Sequence, residues 1–398
     1  MTGALPSVEL ARAYLSRVAE PPAPALVAFV ALHGPQRAAA LIRSGEVPAE
    51  VAKVTTARAE IWRPDADLRA AAAVGARLVT PEDDGWPAWR LLSFTAAAIR
   101  GRADAAEPVA LWVRGDPDLD VAELTEQSVA IVGARAATGY GEHVSADFAH
   151  GLARRGFTVI SGAAYGIDGA AHGGALAAGG RTVAVLGCGV DIPYPAGHAR
   201  LLDRIAAAGA VVSEYPPGTR VGRHRFLVRN RLIAALAEGT VVVEAGLRSG
   251  ASNTAATART LGRMVLAVPG PVTSAMSAGC HAMLREGEAQ VVTSVAEVAE
   301  SIGRIGGDLT VEADAPVRPT DSLDPRSLRV HQALHERTGS SPEQVSMEAG
   351  IPLGQVRAVL PMLEIAGLAQ RGDTGWRRRS GRSVPSQAEG GGPITPTT

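Results

Sequence analysis

The chain has 398 residues, of which 46% are hydrophobic and 20% are charged. This composition supports an extensive core and excludes a chain that is disordered throughout. The 39 basic and 40 acidic residues give a net charge of −1, so any nucleic-acid surface must be a local patch. The only two cysteines, Cys188 and Cys280, exclude a disulfide framework and a cysteine-rich zinc site.

The length predicts two or three domains. No apolar run approaches 18 residues without a break, and the first residues lack the basic-then-apolar pattern of a signal peptide. We therefore expect a cytoplasmic protein with no membrane contact.

The first part of the chain is rich in alanine and has apolar residues at helical spacing. Residues 1–65 are predicted to form a small helical domain, in which the Pro21-Pro22 pair separates two helices. Residues 66–119 are mixed in character and contain one extended apolar run, Val109–Val113. We interpret them as a connecting segment that leads into the next domain.

Residues 120–302 alternate short β-branched runs with helical stretches. The predicted strands are Val129–Val132, Thr158–Ile160, Thr182–Leu186, Ala210–Val212, Thr240–Val243 and Met264–Val268. Nearly continuous apolar strands separated by helices are typical of a parallel sheet that is covered on both faces. The pattern predicts a doubly wound α/β domain of the Rossmann type, with ligands at the carboxyl ends of the strands.

The remaining residues divide into three segments. Residues 303–322 mix Gly, Pro and acidic residues and are predicted to be a linker. Residues 323–379 have the order helix, helix, helix and hairpin, which is that of a winged helix. Residues 380–398 are rich in Gly, Pro, Ser and Thr and are predicted to be a disordered tail.

Two strand-to-helix turns are candidate anion sites. The run Gly133–Gly141 contains Arg135, and Ser249-Gly250 precedes a helix. Backbone N–H groups at helix N-termini favour anions. The dinucleotide fingerprint and the P-loop lysine are both absent. We therefore favour anion binding without a nicotinamide cofactor at the first turn, with a tight structural turn as the alternative.

The densest basic segment of the chain contains an aromatic residue. It carries no acidic residue and comprises Arg220, Arg223, His224, Arg225, Phe226, Arg229, Asn230 and Arg231. Arginines with an interleaved aromatic are typical of a surface that contacts phosphates and stacks bases of single-stranded nucleic acid. A solvated helix face is the alternative interpretation.

No catalytic constellation emerges from the sequence. Asp168 is at least as well explained as a helix cap, and His172 as a packed helix residue. Cys188 lies between two glycines without a nearby histidine, and the adjacent Cys280 and His281 do not make a dyad by adjacency. We expect neither an enzyme nor a bound metal or cofactor.

The order of motifs resembles that of the DNA-processing protein A family (DprA, also called Smf). The matching segments are Val129–Arg135, Ser161-Gly162, Gly166–Asp168, Ala171-His172, Val185–Gly187 with Asp191, Tyr194-Pro195, Ser213–Pro216, Arg229–Arg231, Val243–Ala245, Ser249-Gly250 and Val268–Gly270. Each segment alone is weak, whereas the series over about 170 residues is specific. Ala134 and Leu227 depart from the residues usual in the family.

The resemblance implies an extended Rossmann domain that binds single-stranded DNA, dimerises and helps to load the RecA recombinase, as in natural transformation. It also implies a SAM-like N-terminal domain and a C-terminal winged helix. The DNA-binding residues that it indicates are Arg135, Arg223, Phe226 and Arg229, with Ser249 and Gly250 as further candidates. Asn230 and Arg231 join them as members of the basic segment.

Two other functions remain open. Related Rossmann domains hydrolyse nucleotides as phosphoribohydrolases and carry the signature P-G-G-x-G-T-x-x-E. The corresponding segment here, Glu244–Gly250, lacks that signature. Alternatively, the winged helix could read duplex DNA, although eight arginines against six acidic residues in 323–379 are a weak basic excess.

Overall fold

A computed structural model describes residues 5–102, 106–303, 320 and 323–379. The chain divides into two compact units, residues 1–310 and 311–398. Most of the predicted linker 303–322 and the whole predicted tail 380–398 lie outside the described residues.

The first unit begins with helices that start at prolines or at a serine cap. They are α1 (Val8–Val18), α2 (Pro24–His33), α3 (Pro35–Ser44), α4 (Ala49–Thr55), a 3₁₀ turn (Thr56–Arg58) and α5 (Pro64–Ala72). The Oγ atom of Ser7 accepts a hydrogen bond from the N–H of Leu10, and a proline occupies the first position of α2, α3 and α5. Proline is favoured there because that N–H has no partner within the helix. These helices bury their own apolar cluster, which includes Tyr14, Leu26 and Ile42.

A nine-stranded sheet forms the centre of this unit. Its strands are β1 (Ala76–Val79), β2 (Leu111–Gly115), β3 (Ser128–Val132), β4 (Thr158–Ser161), β5 (Thr182–Leu186), β6 (Ala210–Ser213), β7 (Gly239–Val242), β8 (Met264–Ala267) and β9 (Gln290–Val291). Their order is β1-β2-β6-β5-β4-β3-β7-β8-β9, with β3 to β9 all parallel. All six predicted strands are present, so the doubly wound α/β prediction is confirmed.

The sheet extends into the segment that was predicted as a connection. Strand β2 pairs antiparallel with β6, and β1 pairs antiparallel with β2. Trp112 on β2 is fully buried, and its indole N–H donates to the hydroxyl of Ser16 at 3.3 Å. Strands β1 and β2 therefore belong to the α/β sheet itself, and Trp112 attaches it to the N-terminal helices.

Helices cover both faces of the sheet. They are α6 (Ala88–Ile99), α7 (Val121–Glu126), α8 (Gly139–Arg154), α9 (Ile167–Ala177), a 3₁₀ turn (Ala196–His198), α10 (Ala199–Ala208), α11 (Arg223–Leu236), α12 (Gly250–Thr260), α13 (Ala278–Arg285) and α14 (Val295–Ile302). Along β3, Ala130 and Val132 pack into the core beside α11 and α12, whereas Val129 and Ile131 pack into the core beside α8 and α9. This alternation follows from the two-residue period of a strand.

Residues 323–379, the described part of the second unit apart from residue 320, form three helices and a hairpin. They are α15 (Pro325–Gln332), α16 (Pro342–Ala349), α17 (Leu353–Ile365), β10 (Ala369–Gly372) and β11 (Gly375–Arg378). Ser341 and Gln344 form a capping box at the start of α16, and α17 continues through Pro361. The unit has its own core around Val345, Leu360 and Trp376. This is the element order of a winged helix, and that assignment remains a prediction.

Within the part of the chain that the structure describes, every helix is by itself too short or too polar to cross a membrane. Helices α2 and α3 reach the required length and composition together, but they meet at an angle of 116°.

Candidate nucleic-acid interface

The strand order reverses beside β3, which lies between β4 and β7 in the sheet. Such a switch point opens a crevice at the carboxyl ends of the strands, and ligands of doubly wound domains bind there. A cavity of about 720 Å³ occupies this place. Its walls are the loops that follow β3, β4, β5 and β7, together with the first turns of α11 and α12. We call it the main crevice.

The helix N-terminus after β3 is already occupied by a carboxylate of the chain. Glu244 is buried and accepts hydrogen bonds from the backbone N–H of Thr138 at 2.9 Å and from its hydroxyl at 2.6 Å. A β-carbon at Gly141 would collide with that carboxylate, which explains the glycine in the first turn of α8. Glu244 thus supplies a negative charge that the helix dipole favours, and an external anion at this helix end stays a prediction.

Arg135 lies in the same loop and contacts an aromatic ring of the main crevice. Its side chain is exposed, lines the main crevice and lies over the ring of Phe226, with 5.2 Å from Cζ to the ring centroid. The ring of Tyr194 stacks on Phe226 at a centroid distance of 5.1 Å and an interplanar angle of 29°. The three side chains form one cation–aromatic group at the mouth of the crevice, which we call the aromatic mouth.

Helix α11 begins with three basic residues and no acidic residue in its first turn. Cations at a helix N-terminus oppose the helix dipole, so this arrangement is favourable only when a negative group is nearby. For Arg225 and His224 that group is Glu20, which contacts them at 2.6 and 3.2 Å. Arg223 is exposed, lines the main crevice and forms no ion pair with any described residue.

Arg229 occupies the interior, unlike Arg223 on the same helix. Only 5% of the residue is exposed, and its Nη1 donates to the carbonyl oxygens of Gly162, at 2.8 Å, and Val185. Burial lowers the pKa of Arg229 to about 10, although Asp168 opposes the shift. These hydrogen bonds tie α11 to the ends of β4 and β5, and a phosphate contact by Arg229, which lines the main crevice, stays a prediction.

The two residues that follow Arg229 are also buried. Arg231 makes an ion pair of 2.7 Å with Glu214, lies over the ring of Phe94 and does not line the main crevice. The Nδ2 of Asn230 donates to the carbonyl oxygen of Gly250 at 3.3 Å. The guanidinium of Arg231 is enclosed, whereas Asn230 lines the main crevice and supports the first turn of α12, and a DNA contact by either residue stays a prediction.

Ser249 and Gly250 reach the main crevice as expected. Ser249 caps α12, its Oγ accepting the N–H of Ser252 at 3.2 Å. The N–H groups of the first two helical residues, Gly250 and Ala251, have no partner within the helix, and both residues line the crevice. This second turn therefore keeps the N–H groups that can receive an anion.

Comparisons with known proteins identify the family. A sequence model described as DNA recombination-mediator protein A matches residues 77–303. A DNA processing protein DprA of Mycobacterium tuberculosis is 51% identical over 365 residues, which cover 92% of this chain and 93% of that protein. This chain belongs to the DNA recombination-mediator protein A family.

Solved structures include members of the same family. DNA processing protein A of Streptococcus pneumoniae is similar with a TM-score of 0.59 and 28% identity, over 76% of this chain and 100% of that one. The chain is also similar to DNA processing protein A of Helicobacter pylori, whose structure describes a single-stranded DNA binding mode. That similarity has a TM-score of 0.44 and 28% identity, over 49% of this chain and 86% of that one.

In this family member, the candidate catalytic groups near the crevice are enclosed. Asp168 accepts backbone N–H groups of Gly162 and Ala164 at 3.1 and 3.4 Å, and burial raises its pKa. His172 is fully buried, and burial lowers its pKa to about 3. Burial raises the pKa of each cysteine thiol, Cys188 and Cys280, to about 11, which disfavours the thiolate at neutral pH. No metal-binding group of three or more His, Cys, Asp or Glu side chains occurs among the described residues.

The sequence interpretation missed Tyr194 as a site residue. Tyr194-Pro195 was one of the motifs that carried the family resemblance, but no role was assigned to it. The available signal was its place after β5, since side chains that follow parallel strands meet at one edge of the sheet. Tyr194 is 36% exposed and lines the crevice beside Phe226.

Proposed function

We propose that this family member binds single-stranded DNA in the main crevice and presents the strand for recombination. The observation that carries the proposal is the aromatic mouth. Arg135 and Arg223 supply exposed positive charges within reach of a phosphate backbone, and Phe226 and Tyr194 supply rings beside them. Exposed arginines with adjacent rings suit a strand whose bases are unpaired.

The geometry favours single strands without a strong sequence preference. Every base has a π face, so stacking on Phe226 or Tyr194 does not depend on base identity. The free N–H groups at the start of α12, beside Ser249 and Gly250, add a place for a phosphate on the opposite wall of the crevice. Arg229, Asn230 and Arg231 act in this proposal by holding the walls.

The same groups support a function without catalysis. Hydrolysis of a nucleotide by general acid–base catalysis needs a carboxylate that reaches the substrate, and the two acidic residues at the switch point are buried and hydrogen-bonded within the chain. Glu244 is held by Thr138, and Asp168 is held by the loop after β4. This arrangement favours a binding protein over the phosphoribohydrolase alternative.

The second unit gives little support to duplex reading. Arg357 pairs with Glu343 at 2.7 Å and Arg378 pairs with Glu336 at 2.9 Å. These contacts reduce the positive charge available for a DNA backbone. An accessory or partner-binding role therefore suits residues 323–379 better.

The family resemblance supports three further parts of the proposal. We propose that the protein forms a homodimer through its Rossmann domain, acts in the cytoplasm and helps to load the RecA recombinase. Analytical ultracentrifugation tests the dimer. Filament assembly by RecA on a single strand, with and without this protein, tests the loading. A monomer at micromolar concentration, or unchanged filament assembly, would contradict the corresponding part.

The central experiment is a fluorescence titration of single-stranded and duplex DNA of equal length over a salt series. Hydrolysis of nucleoside monophosphates is assayed on the same preparation. We expect tighter binding of the single strand and no hydrolysis. Equal or tighter duplex binding would shift the function to the winged-helix unit, and hydrolysis would favour the phosphoribohydrolase alternative.

A further inference from the structure

A second cavity, of about 340 Å³, lies between the N-terminal helices and the segment before α11. Four arginines line it, together with one carboxylate and one phenol: Arg17, Arg58, Arg220, Arg225, Glu20 and Tyr215. The proposed function does not use this cavity. We call it the arginine cavity.

The charges around the arginine cavity do not balance. Arg17 pairs outside it with the buried Asp67, at 2.5 Å, and the same carboxylate also pairs with Arg63 at 3.2 Å. Arg58 and Arg225 both bind Glu20, at 2.9 and 2.6 Å, so a single carboxylate serves two guanidinium groups.

The remaining arginine adds to this excess. Arg220 is exposed and forms no ion pair with any described residue. Arg58, Arg220 and Arg225 therefore face the single negative charge of Glu20, and the net positive charge favours an anion.

A buried polar atom also lacks a partner at this cavity. Tyr215 is 2% exposed, and its hydroxyl has no hydrogen-bond partner among the described residues. The guanidinium of Arg225 lies over its ring, with 5.1 Å to the centroid. Buried hydroxyl groups are almost always hydrogen-bonded, so Tyr215 leaves an unsatisfied donor that is enclosed from solvent beside the cavity.

The two cavities share one stretch of chain. Val221, Gly222 and Arg223 line the main crevice, whereas Thr219, Arg220 and Arg225 line the arginine cavity. The segment 219–225 is therefore a wall with a binding surface on each side. A strand that passes over this wall meets the exposed side chains of Arg223 and His224 on its way.

We propose that the arginine cavity binds backbone phosphates of the same single strand that occupies the main crevice. This inference rests on the proposed function and extends it, because it assigns a path to the strand and a role to the N-terminal helices. Arg58 and Arg220 contact phosphates, and the ring of Tyr215 supports the guanidinium of Arg225 from below. Glu20 holds Arg58 and Arg225 in place until the phosphate competes for them.

The test is a length series of oligothymidylates, from about 4 to about 16 nucleotides, titrated at several salt concentrations. In the wild type, we expect the salt dependence to steepen once the strand is long enough to reach both cavities. The salt dependence is the slope of the logarithm of the binding constant against the logarithm of the salt concentration. Each phosphate contact on a single strand contributes about 0.7 to the magnitude of this slope. The double variant Arg58→Gln/Arg220→Gln should bind short strands as the wild type does. On long strands, the magnitude of its slope should be lower than that of the wild type by about 1.4. That difference makes the loss of affinity between 50 and 200 mM salt about sevenfold smaller than in the wild type.

Two further variants sharpen the test. Glu20→Gln keeps an acceptor for Arg58 and Arg225 but removes the competing charge, so it should tighten binding of long strands and leave short ones unchanged. Arg181→Gln is the matched control, because Arg181 is an exposed arginine that pairs with Glu123 beside another cavity. Arg181→Gln should change neither the binding of short strands nor the binding of long strands. Circular dichroism and urea unfolding confirm that each variant is folded.

The possible failures are distinguishable. If short strands bind but the double variant matches the wild type on long ones, the arginine cavity does not hold the strand. If the folded wild type binds no oligonucleotide, the proposed function fails and this inference fails with it. If inorganic phosphate raises the melting temperature of the wild type but not of the double variant, and strand affinity is independent of length, the cavity holds free phosphate and the strand path is wrong.

Discussion

Arg229 donates a hydrogen bond of 2.8 Å from its Nη1 to the carbonyl oxygen of Gly162, and a β-carbon on Gly162 would lie 2.5 Å from the same nitrogen. The glycine thus makes room for the guanidinium. Arg229→Ala removes two hydrogen bonds to carbonyl oxygens and leaves Asp168 without its nearby cation. We expect the free energy of unfolding to fall by about 3 kcal/mol, measured by urea denaturation.

Arg223→Ala is the control for that experiment, since it lies on the same helix but is exposed. It should change the unfolding free energy by less than about 0.5 kcal/mol. If Arg229→Ala unfolds like the wild type and instead weakens DNA binding, then Arg229 contacts DNA directly and the sequence interpretation was right.

Arg135 and Arg223 should each behave as a phosphate contact. Either alanine variant is expected to weaken single-strand binding for every sequence and to lower the salt slope by about 0.7. Arg135→Lys separates charge from ring stacking, because a lysine keeps the charge but loses the planar guanidinium. It should keep the wild-type slope. A slope that is unchanged in Arg135→Ala would remove Arg135 from the site.

Phe226→Ala should cost about 1–3 kcal/mol of binding free energy with almost no change in the salt slope, because stacking releases no counterions. Phe226 is half-buried and contacts Tyr194, so the variant must also be tested for folding. Equal unfolding midpoints in urea make the binding loss interpretable. An unfolded variant would place Phe226 in the core instead.

Deleting residues 323–398 should leave single-strand binding intact. The main crevice and the arginine cavity are lined only by residues before 277, all of them in the first unit. Removing Arg377, Arg378 and Arg379 should cost only a salt-sensitive, sequence-independent part of the affinity. A truncated protein that is folded by circular dichroism yet binds no single strand would make the second unit the DNA reader.

His172 should make stability depend on pH. Thr182 Oγ1 donates to the carbonyl oxygen of Val159, so it accepts the Nδ1–H of His172 at 2.7 Å, which leaves Nε2 unprotonated. Burial lowers the pKa of His172 from 6.5 to about 3. The unfolded chain therefore takes up the proton first. The stability that the folded protein has with a neutral His172 is complete above pH 6.5 and is lost as the pH falls towards 3.

The variant His172→Asn keeps a donor near the Nδ1 position but does not titrate. Between pH 7 and pH 5, the wild type should lose about 2 kcal/mol more unfolding free energy than the variant. Urea denaturation at the two pH values measures the difference. Identical losses would show that the pKa of His172 is not lowered in the folded protein.

The strands of the α/β domain were predictable because they are apolar on both faces. Thr182–Leu186 was predicted with the bounds that β5 has, and the other five predicted strands differ by one residue at one or both ends. Strands β1 and β9 were missed. They lie at the two edges of the sheet, and their sequences, Ala76–Val79 and Gln290–Val291, are too short or too polar to form an apolar run.

The candidate site was predictable in location and less so in the role of each arginine. Arg223 and Arg229 are the same residue type, six positions apart on one helix. Arg223 is exposed at the crevice, whereas Arg229 is buried beneath it. Sequence reveals the charge but not which turn of α11 lies against the sheet, because that depends on packing with distant strands. Glu244 was missed as the partner of Thr138 for the same reason, since the two are 106 residues apart.

The antiparallel pairing of β2 with β6 also determines how the protein can be divided. A fragment that begins at residue 120, the start of the predicted Rossmann domain, lacks β1 and β2. It would leave unpaired the backbone N–H and C=O groups of β6 that face β2, although β6 keeps its pairing with β5, and it would uncover the apolar side chains of Val211 and Val212. An open apolar edge is a template for association with other chains. Such a fragment should aggregate, whereas one that starts before Ala76 keeps the sheet edge closed.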